Sequence, residues 1–484
     1  MQILAATLNK IKELLFLKEE FKSFEGKLFY NIDSHFVLKN LYETIKEKHP
    51  DQMHYLNAKS GFNALKRCWE ANQHCNTQQL IEFIREKKIK TIFSINMYFL
   101  ENALGKENLL LVPLLNHLGI EFVVLDSDTY ELNMDGYTLK AIQNTKGVRR
   151  FSFLPYLCKY FDQAAEAKEI RYCSCGDIYE PNQLIQAPKP NYEIYCIANS
   201  RTHHVLEKMP QVFYFMNCVD SGSPFEDQQM LFCAMNHLLL HSSHLDFEQK
   251  KKYYSLFANI YLGVLSLLKY EVIEGIESSQ KILLFGDTEW AKLFPQYYQR
   301  YLNPEEMKER LQNGSSVYIH FNQNHSYFEN NFVFLYSLNF AVPYLGFPVG
   351  SSLPELSGLR HLEYSNLQEL NIKLKNIGAL CKNPEYQNSF LRIKSYLKSC
   401  HNDFIDQIED PNIKSSLYDN LCNENEQIFQ QKLELYIKNN FYRITQCMDE
   451  LMNKKREEFQ IHQYSYFHKP YIQNLLSNFG RSAS

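Results

Sequence analysis

The chain has no excess of charge of either sign. Its 484 residues carry 51 Lys and Arg against 55 Asp and Glu, a formal net charge of -4. Nucleic acid is held by a positive face that neutralises phosphates, and this balance supplies no global one, so no nucleic-acid partner is expected. Also missing is an apolar run that could cross a bilayer. The best candidate, Tyr254 to Leu268, falls short of the roughly 20 residues required and contains Asn259 and Gly263, so a buried helix is expected there. The opening MQILAATLNKIKELLFLKEEF interleaves apolar residues with Lys and Glu, the pattern of an amphipathic surface helix and not of a secretory leader. Twelve cysteines lack any repeating spacing. Only Cys173 and Cys175 stand close together, with no second pair at zinc-knuckle spacing, which suits thiols of a reducing compartment better than metal ligands. Internal repeats and low-complexity tracts are absent too. A cytoplasmic protein without a bound metal is the expectation.

With 45% hydrophobic residues over this length, the chain can bury more than one core, and two domains are expected. The first part alternates helix and strand. Asn76 suits the cap of a helix over Gln78 to Lys87, and the strand Thr91 to Ile95 follows. A helix over Leu109 to Leu118, closed by Gly119, leads into the strand Ile120 to Leu125. Such alternation predicts a parallel sheet with right-handed crossovers. Asp126 and Asp128 lie just past that strand, at the edge where open α/β sheets bind ligands.

The stretch QAPKPN, Gln186 to Asn191, has linker chemistry, and the strand YEIYCIA then starts a new unit. Asn199, Ser200 and Arg201 follow that strand as a polar turn. An arginine there suits an anion, because its guanidinium grips phosphate in a fork; Asn199 or Ser200 also suits a helix N-cap beside a solvated arginine. The strongest functional signal lies further on: a strand ending in Gly286 and Asp287, a second strand with a polar turn from Asn322 through Asn324 to His325, a helix, and the loop Pro343 to Glu355. In that loop Gly346 and Gly350 allow backbone amides to approach a ligand, and Ser351, Ser352 and Glu355 supply hydroxyls and a carboxylate, chemistry suited to a phosphate-bearing sugar. Beyond Leu380 the pattern is helical, with Asn383 and Pro384 as cap and first residue of one helix and another run from Asn423 to Glu457. The aromatic tail, with His462 and His468, reads as internal packing or as a docking surface.

Taken in order, LLVPLLNHLGIEFVVLDSD, IYCIANSR, LLFGDTEW and FLYSLNFAVPYLGFPVGSSLPEL resemble the corresponding pieces of the bacterial GT-B glycosyltransferases of the spore-maturation-protein-like group, over about Thr91 to Leu397. The resemblance implies two Rossmann-like domains facing across a cleft, an acceptor-side one over 1–187 and a nucleotide-sugar one over 188–400, with a helical extension over 401–484. It implies metal-independent transfer of a sugar from a nucleotide-sugar donor, itself a substrate and not a cofactor, to an acceptor such as a protein or glycan. Asn199, Ser200, Arg201, Gly286, Asp287, Asn322, Asn324, Gly350, Ser351, Ser352 and Glu355 would then hold the donor, with Asp126, Asp128 and His325 as candidate catalytic groups. The chain departs from the family in one place. Where a donor-binding glutamate is expected before the Pro343 turn, it has Leu335 or Tyr336, and Asn330 or Asn331 stands near the expected arginine. Two other readings therefore stay open: a catalytically silent relative that binds through the same cleft, and a metal-dependent transferase built on the Asp-Ser-Asp spacing of Asp126 and Asp128.

Overall fold

Short runs of β-branched and aromatic residues, each too brief for a helix, make the strands of this molecule. The computed structural model describes residues 18–30, 36–56, 77–95, 115–126, 148–152, 170–174, 176–219, 246–312, 315–321, 332–346, 361–413, 441–453 and 468–479. These form two compact units that divide between Gly176 and Asp177. Each contains one parallel sheet.

In the first unit, strands β1 (Gly26–Tyr30), β2 (Met53–Leu56), β3 (Ile89–Ile95), β4 (Glu121–Asp126), β5 (Val148–Ser152) and β6 (Ile170–Tyr172) lie in the order β2-β1-β3-β4-β5-β6. All neighbours are parallel. The chain winds outward from β1 to β2, then reverses and runs from β3 to β6, so the switch point lies between β1 and β3. The core is apolar and aromatic. Phe29 of β1 stacks on Phe93 of β3 with ring centroids 4.3 Å apart, and meets Tyr42 of helix α1 (Phe36–Lys48) edge-on at 5.2 Å. Val37, Leu38, Leu41, Tyr42 and Ile45 make the buried stripe of α1 at helical spacing. Helix α2 (Thr77–Glu86) and β3 match the expected helix and strand to within two residues. Gly119 ends the next helical turn at φ +91°, a conformation that glycine adopts without steric cost, and β4 follows.

The second unit holds β7 (Glu193–Ile197), β8 (Lys281–Phe285), β9 (Tyr298–Gln299), β10 (Ser316–His320) and β11 (Tyr344–Gly346), in the order β11-β10-β7-β8-β9 and parallel throughout. Here the winding runs β7 to β9, then reverses to β10 and β11, a doubly wound Rossmann-like order whose switch point is between β7 and β10. Helix α3 (Thr202–Val219) leaves β7, and α4 (Phe247–Gly275) returns toward β8. The segment Tyr254 to Leu268, expected as a buried helix, lies inside α4, where Tyr261, Val264, Leu265, Leu267 and Leu268 are at most 1% exposed. Among the described residues no helix is long and apolar enough to cross a membrane.

Three boundaries differ from those expected. The second unit begins at Asp177, before the proline-rich stretch, because residues 177–185 are strapped to helices of that unit. Asn339, at the end of helix α5 (Phe332–Asn339), accepts from the Tyr179 amide and donates to the Asp177 carbonyl, at 3.0 and 2.9 Å. Gln387, on helix α6 (Pro384–Glu409), does the same for both backbone groups of Ile185, and Lys398 pairs with Asp177 at 2.6 Å. No break falls at residue 400, since α6 runs through it as one helix, capped as expected by Asn383. Finally, the first part of the Pro343 loop is strand. Tyr344 and Leu345 are fully buried beside β10, and the Gly346 amide donates to Leu362 O at 2.7 Å, so it faces the protein's own backbone and not a ligand.

Two later helices pack on this unit. On α7 (Phe441–Asn453), Glu450 accepts from Tyr214 of α3 and Asp449 from Tyr253 of α4. On α8 (Pro470–Phe479), Tyr471 donates to Glu271 at 3.1 Å and Asn474 to Leu293 O at 2.7 Å. Tyr471, Ile472 and Leu475 are buried, the internal-packing outcome for that part of the aromatic tail.

Candidate functional site

The C-terminal edge of the second sheet brings Asn199, Ser200 and Arg201, after β7, against Gly286 and Asp287, after β8. Their meeting is forced by backbone packing. A Cβ on Gly286 would lie 2.0 Å from Ala198 O and 2.8 Å from Trp290 Nε1, so only glycine lets the two turns close on each other. Asp287 then reaches the turn with both oxygens: Oδ2 accepts the Ser200 amide at 2.6 Å and Oδ1 the Ser200 hydroxyl at 2.7 Å. Glu289 Oε2 sits 3.0 Å from the same hydroxyl. That hydroxyl has one proton, and the shorter contact claims it.

Three successive carbonyls of the turn are held by three side chains. Ala198 O accepts from Trp290 Nε1 at 2.7 Å, Asn199 O from Lys269 Nζ at 3.1 Å, and Ser200 O from the Tyr270 hydroxyl at 2.8 Å. Thr202 adds its hydroxyl to Ser200 Oγ at 3.0 Å. Ser200, Thr202, Lys269, Tyr270 and Trp290 are all 0% exposed, whereas Asn199 is exposed and Arg201 partly so. Burial holds the Lys269 ammonium well below the usual lysine range; the charge of Arg201 pushes it further down and that of Asp287 opposes. Burial likewise pushes the Tyr270 hydroxyl up, so it stays a neutral donor.

Arg201 occupies the N-cap position of α3, its carbonyl accepting from the Val205 amide at 3.2 Å. Two rules are broken there. A helix start favours an acceptor or a negative charge, because its first amides point outward and carry the positive end of the dipole; Arg201 has donors only. Its φ of +53° is a left-handed conformation that costs a non-glycine residue about 1–2 kcal/mol. Ser200 takes over part of the capping by accepting from the Thr202 amide at 3.4 Å. An arginine in a strained backbone at a helix N-terminus, after the first strand of a doubly wound sheet and beside its switch point, is an arrangement suited to an anion. On the other side of the switch point β10 ends in His320, 2% exposed, whose Nδ1 lies 3.0 Å from the Tyr318 hydroxyl.

Asn322, Asn324, His325, Gly350, Ser351, Ser352, Glu355 and Asp128 lie outside the described residues. Asp126 is the last residue of β4 in the first unit, in register with Ser152 of β5. Leu335 and Tyr336, one or other of which stands where the resemblance leads one to expect a glutamate, are 2% and 7% exposed on α5 and belong to the core. Sequence reading missed Lys269, Tyr270, Glu289 and Trp290. One signal was available: Lys269 directly follows the stretch Tyr254 to Leu268, expected as a buried helix, where lysine is rare without a partner. No family model, no curated protein and no solved structure matches this chain.

Proposed function

We propose that this chain is a glycosyltransferase of the GT-B type, in which the second unit holds the diphosphate of a nucleotide-sugar donor on the turn from Asn199 to Arg201 and the first unit serves the acceptor. The observation that carries the reading is Arg201: strained, cationic and at the N-terminus of α3 on the ligand edge of a Rossmann-like sheet. Glycosyl transfer leaves a nucleoside diphosphate as charge develops on its leaving oxygen. A guanidinium and helix amides stabilise that charge without a metal. An acceptor-side base would take the hydroxyl proton in an inverting reaction, the role open to Asp126 or Asp128.

A second reading has its own support. With Leu335 and Tyr336 in the core, α5 offers no carboxylate for the donor ribose, which favours a silent relative that binds the same ligand without transferring sugar. Calorimetric titration of wild type and Arg201→Ala with ADP, GDP, UDP and CDP, with and without a chelator, tests both. The expected result is metal-independent binding of one of them, weakened about ten- to a hundredfold by the substitution, as loss of a charge-assisted bond implies. Equal affinity of the two proteins removes Arg201 from the site. Binding without diphosphate release from any nucleotide sugar selects the silent relative, and binding abolished by the chelator selects the metal-dependent alternative centred on Asp126 and Asp128.

A further inference from the structure

Lys269 and Tyr270 are adjacent on α4, fully buried, and bonded to successive carbonyls of the one turn proposed to meet the diphosphate. A peptide in the trans form holds its C=O and N–H antiparallel, and the described chain contains no cis peptide. Drawing the Ser200 carbonyl down to Tyr270 therefore turns the Arg201 amide away from α4. The Asn199 carbonyl, drawn to Lys269, turns the Ser200 amide to Asp287, where it is bonded at 2.6 Å. The left-handed Arg201 directly follows these two anchored carbonyls at the start of α3.

Burying a lysine whose one bonded partner is a backbone carbonyl is costly, and a methionine would fill the same space without that cost. The charge of Asp287 opposes that cost and the charge of Arg201 adds to it, and Asp287 is itself engaged by the Ser200 amide and hydroxyl. The cost is understandable if this side chain sets the shape of the turn through its bond to the Asn199 carbonyl.

We infer that Lys269 and Tyr270 are the positioning residues of a pyrophosphate subsite, fixing the Asn199–Arg201 turn from beneath so that its amide and guanidinium face a diphosphate group. Neither residue touches the ligand. The inference rests on the diphosphate reading above and names what shapes that site.

Titration of wild type, Lys269→Met and Tyr270→Phe with inorganic pyrophosphate, with the nucleoside diphosphate that wild type binds, and with the matching uncharged nucleoside tests it, each protein's thermal unfolding being recorded alongside. The expected result is a loss of roughly tenfold in affinity for pyrophosphate and for the diphosphate in both variants, with nucleoside affinity unchanged. Tyr270→Phe removes a single hydroxyl and carries the test if Lys269→Met does not fold. Unchanged diphosphate affinity in the folded variants overturns the inference while leaving Arg201 in place, and equal losses for diphosphate and nucleoside reduce the two residues to structural support and overturn it as well. If wild type binds neither pyrophosphate nor any nucleoside diphosphate, the functional reading itself falls.

Discussion

The two sheets share parallel pairing, but the described residues at their C-terminal edges differ: strand ends in the first unit, strand ends and the turns after β7 and β8 in the second. In the first unit β1 ends in Tyr30 and β3 in Ile95, 2% and 3% exposed, and burial pushes the Tyr30 hydroxyl up to about 12, so both strands flanking the switch point finish in uncharged side chains. In the second unit β7, beside the switch point, runs into a buried polar cluster of Ser200, Thr202, Lys269 and Tyr270, with Asp287 and Glu289 after β8 beside it. Burial alone holds an apolar strand end. A buried polar cluster is a cost to stability unless every bond is made, and the proposed diphosphate turn would be a use for this one.

Breaking the apolar side of this contrast should have the largest effect. Phe93, 0% exposed and stacked on Phe29, leaves a cavity when replaced by alanine, and Phe93→Ala should lower stability by about 3–5 kcal/mol in denaturant unfolding. A loss under about 1 kcal/mol would show that the first core lies elsewhere. On the second unit, Gly286→Ala should cost roughly 3 kcal/mol, because the new methyl meets a backbone carbonyl at 2.0 Å and displaces the Trp290 bond to it. Diphosphate affinity should fall with it; a fully stable, binding-competent variant would refute the close approach of the two turns.

Acid should distinguish the units next. Burial holds the His401 imidazole of α6 down to about 4, with Asp177 opposing and Lys398 reinforcing that shift. In the unfolded chain the same group takes its proton near 6.5, so between these values the unfolded state binds more protons and stability falls as pH falls from about 6.5 to about 4. His401→Gln should flatten that part of the pH profile by on the order of 2 kcal/mol, whatever its effect at neutral pH. An unchanged slope would place the acid sensitivity in other groups. The smallest effect is the sharpest comparison: at position 201, glycine should be more stable than alanine by about 1 kcal/mol because of the left-handed backbone, while both variants lose diphosphate affinity equally. Alanine as stable as glycine would show that the strain is not there.

Much of this architecture is legible in the residues. Apolar runs such as KILLF and IKTIFSI specify buried strands, alternation with helices specifies parallel pairing, and Asn383 with Pro384 specifies a helix start, all through local sterics and burial. The turn after β7 and the glycine after β8 also stood out as candidate ligand contacts from their place at strand ends. Sequence could not show that Ser200 is buried with its hydroxyl on Asp287, that the Gly346 amide is taken by Leu362, or that residues 177–185 are tied to Asn339, Gln387 and Lys398. Nor could it show that Lys269 supports a turn formed some seventy residues earlier. Helix and strand follow from neighbours along the chain, whose spacing decides which faces are apolar. Which polar group satisfies which depends on the elements that the winding of the sheet sets side by side, and only the tertiary structure decides that.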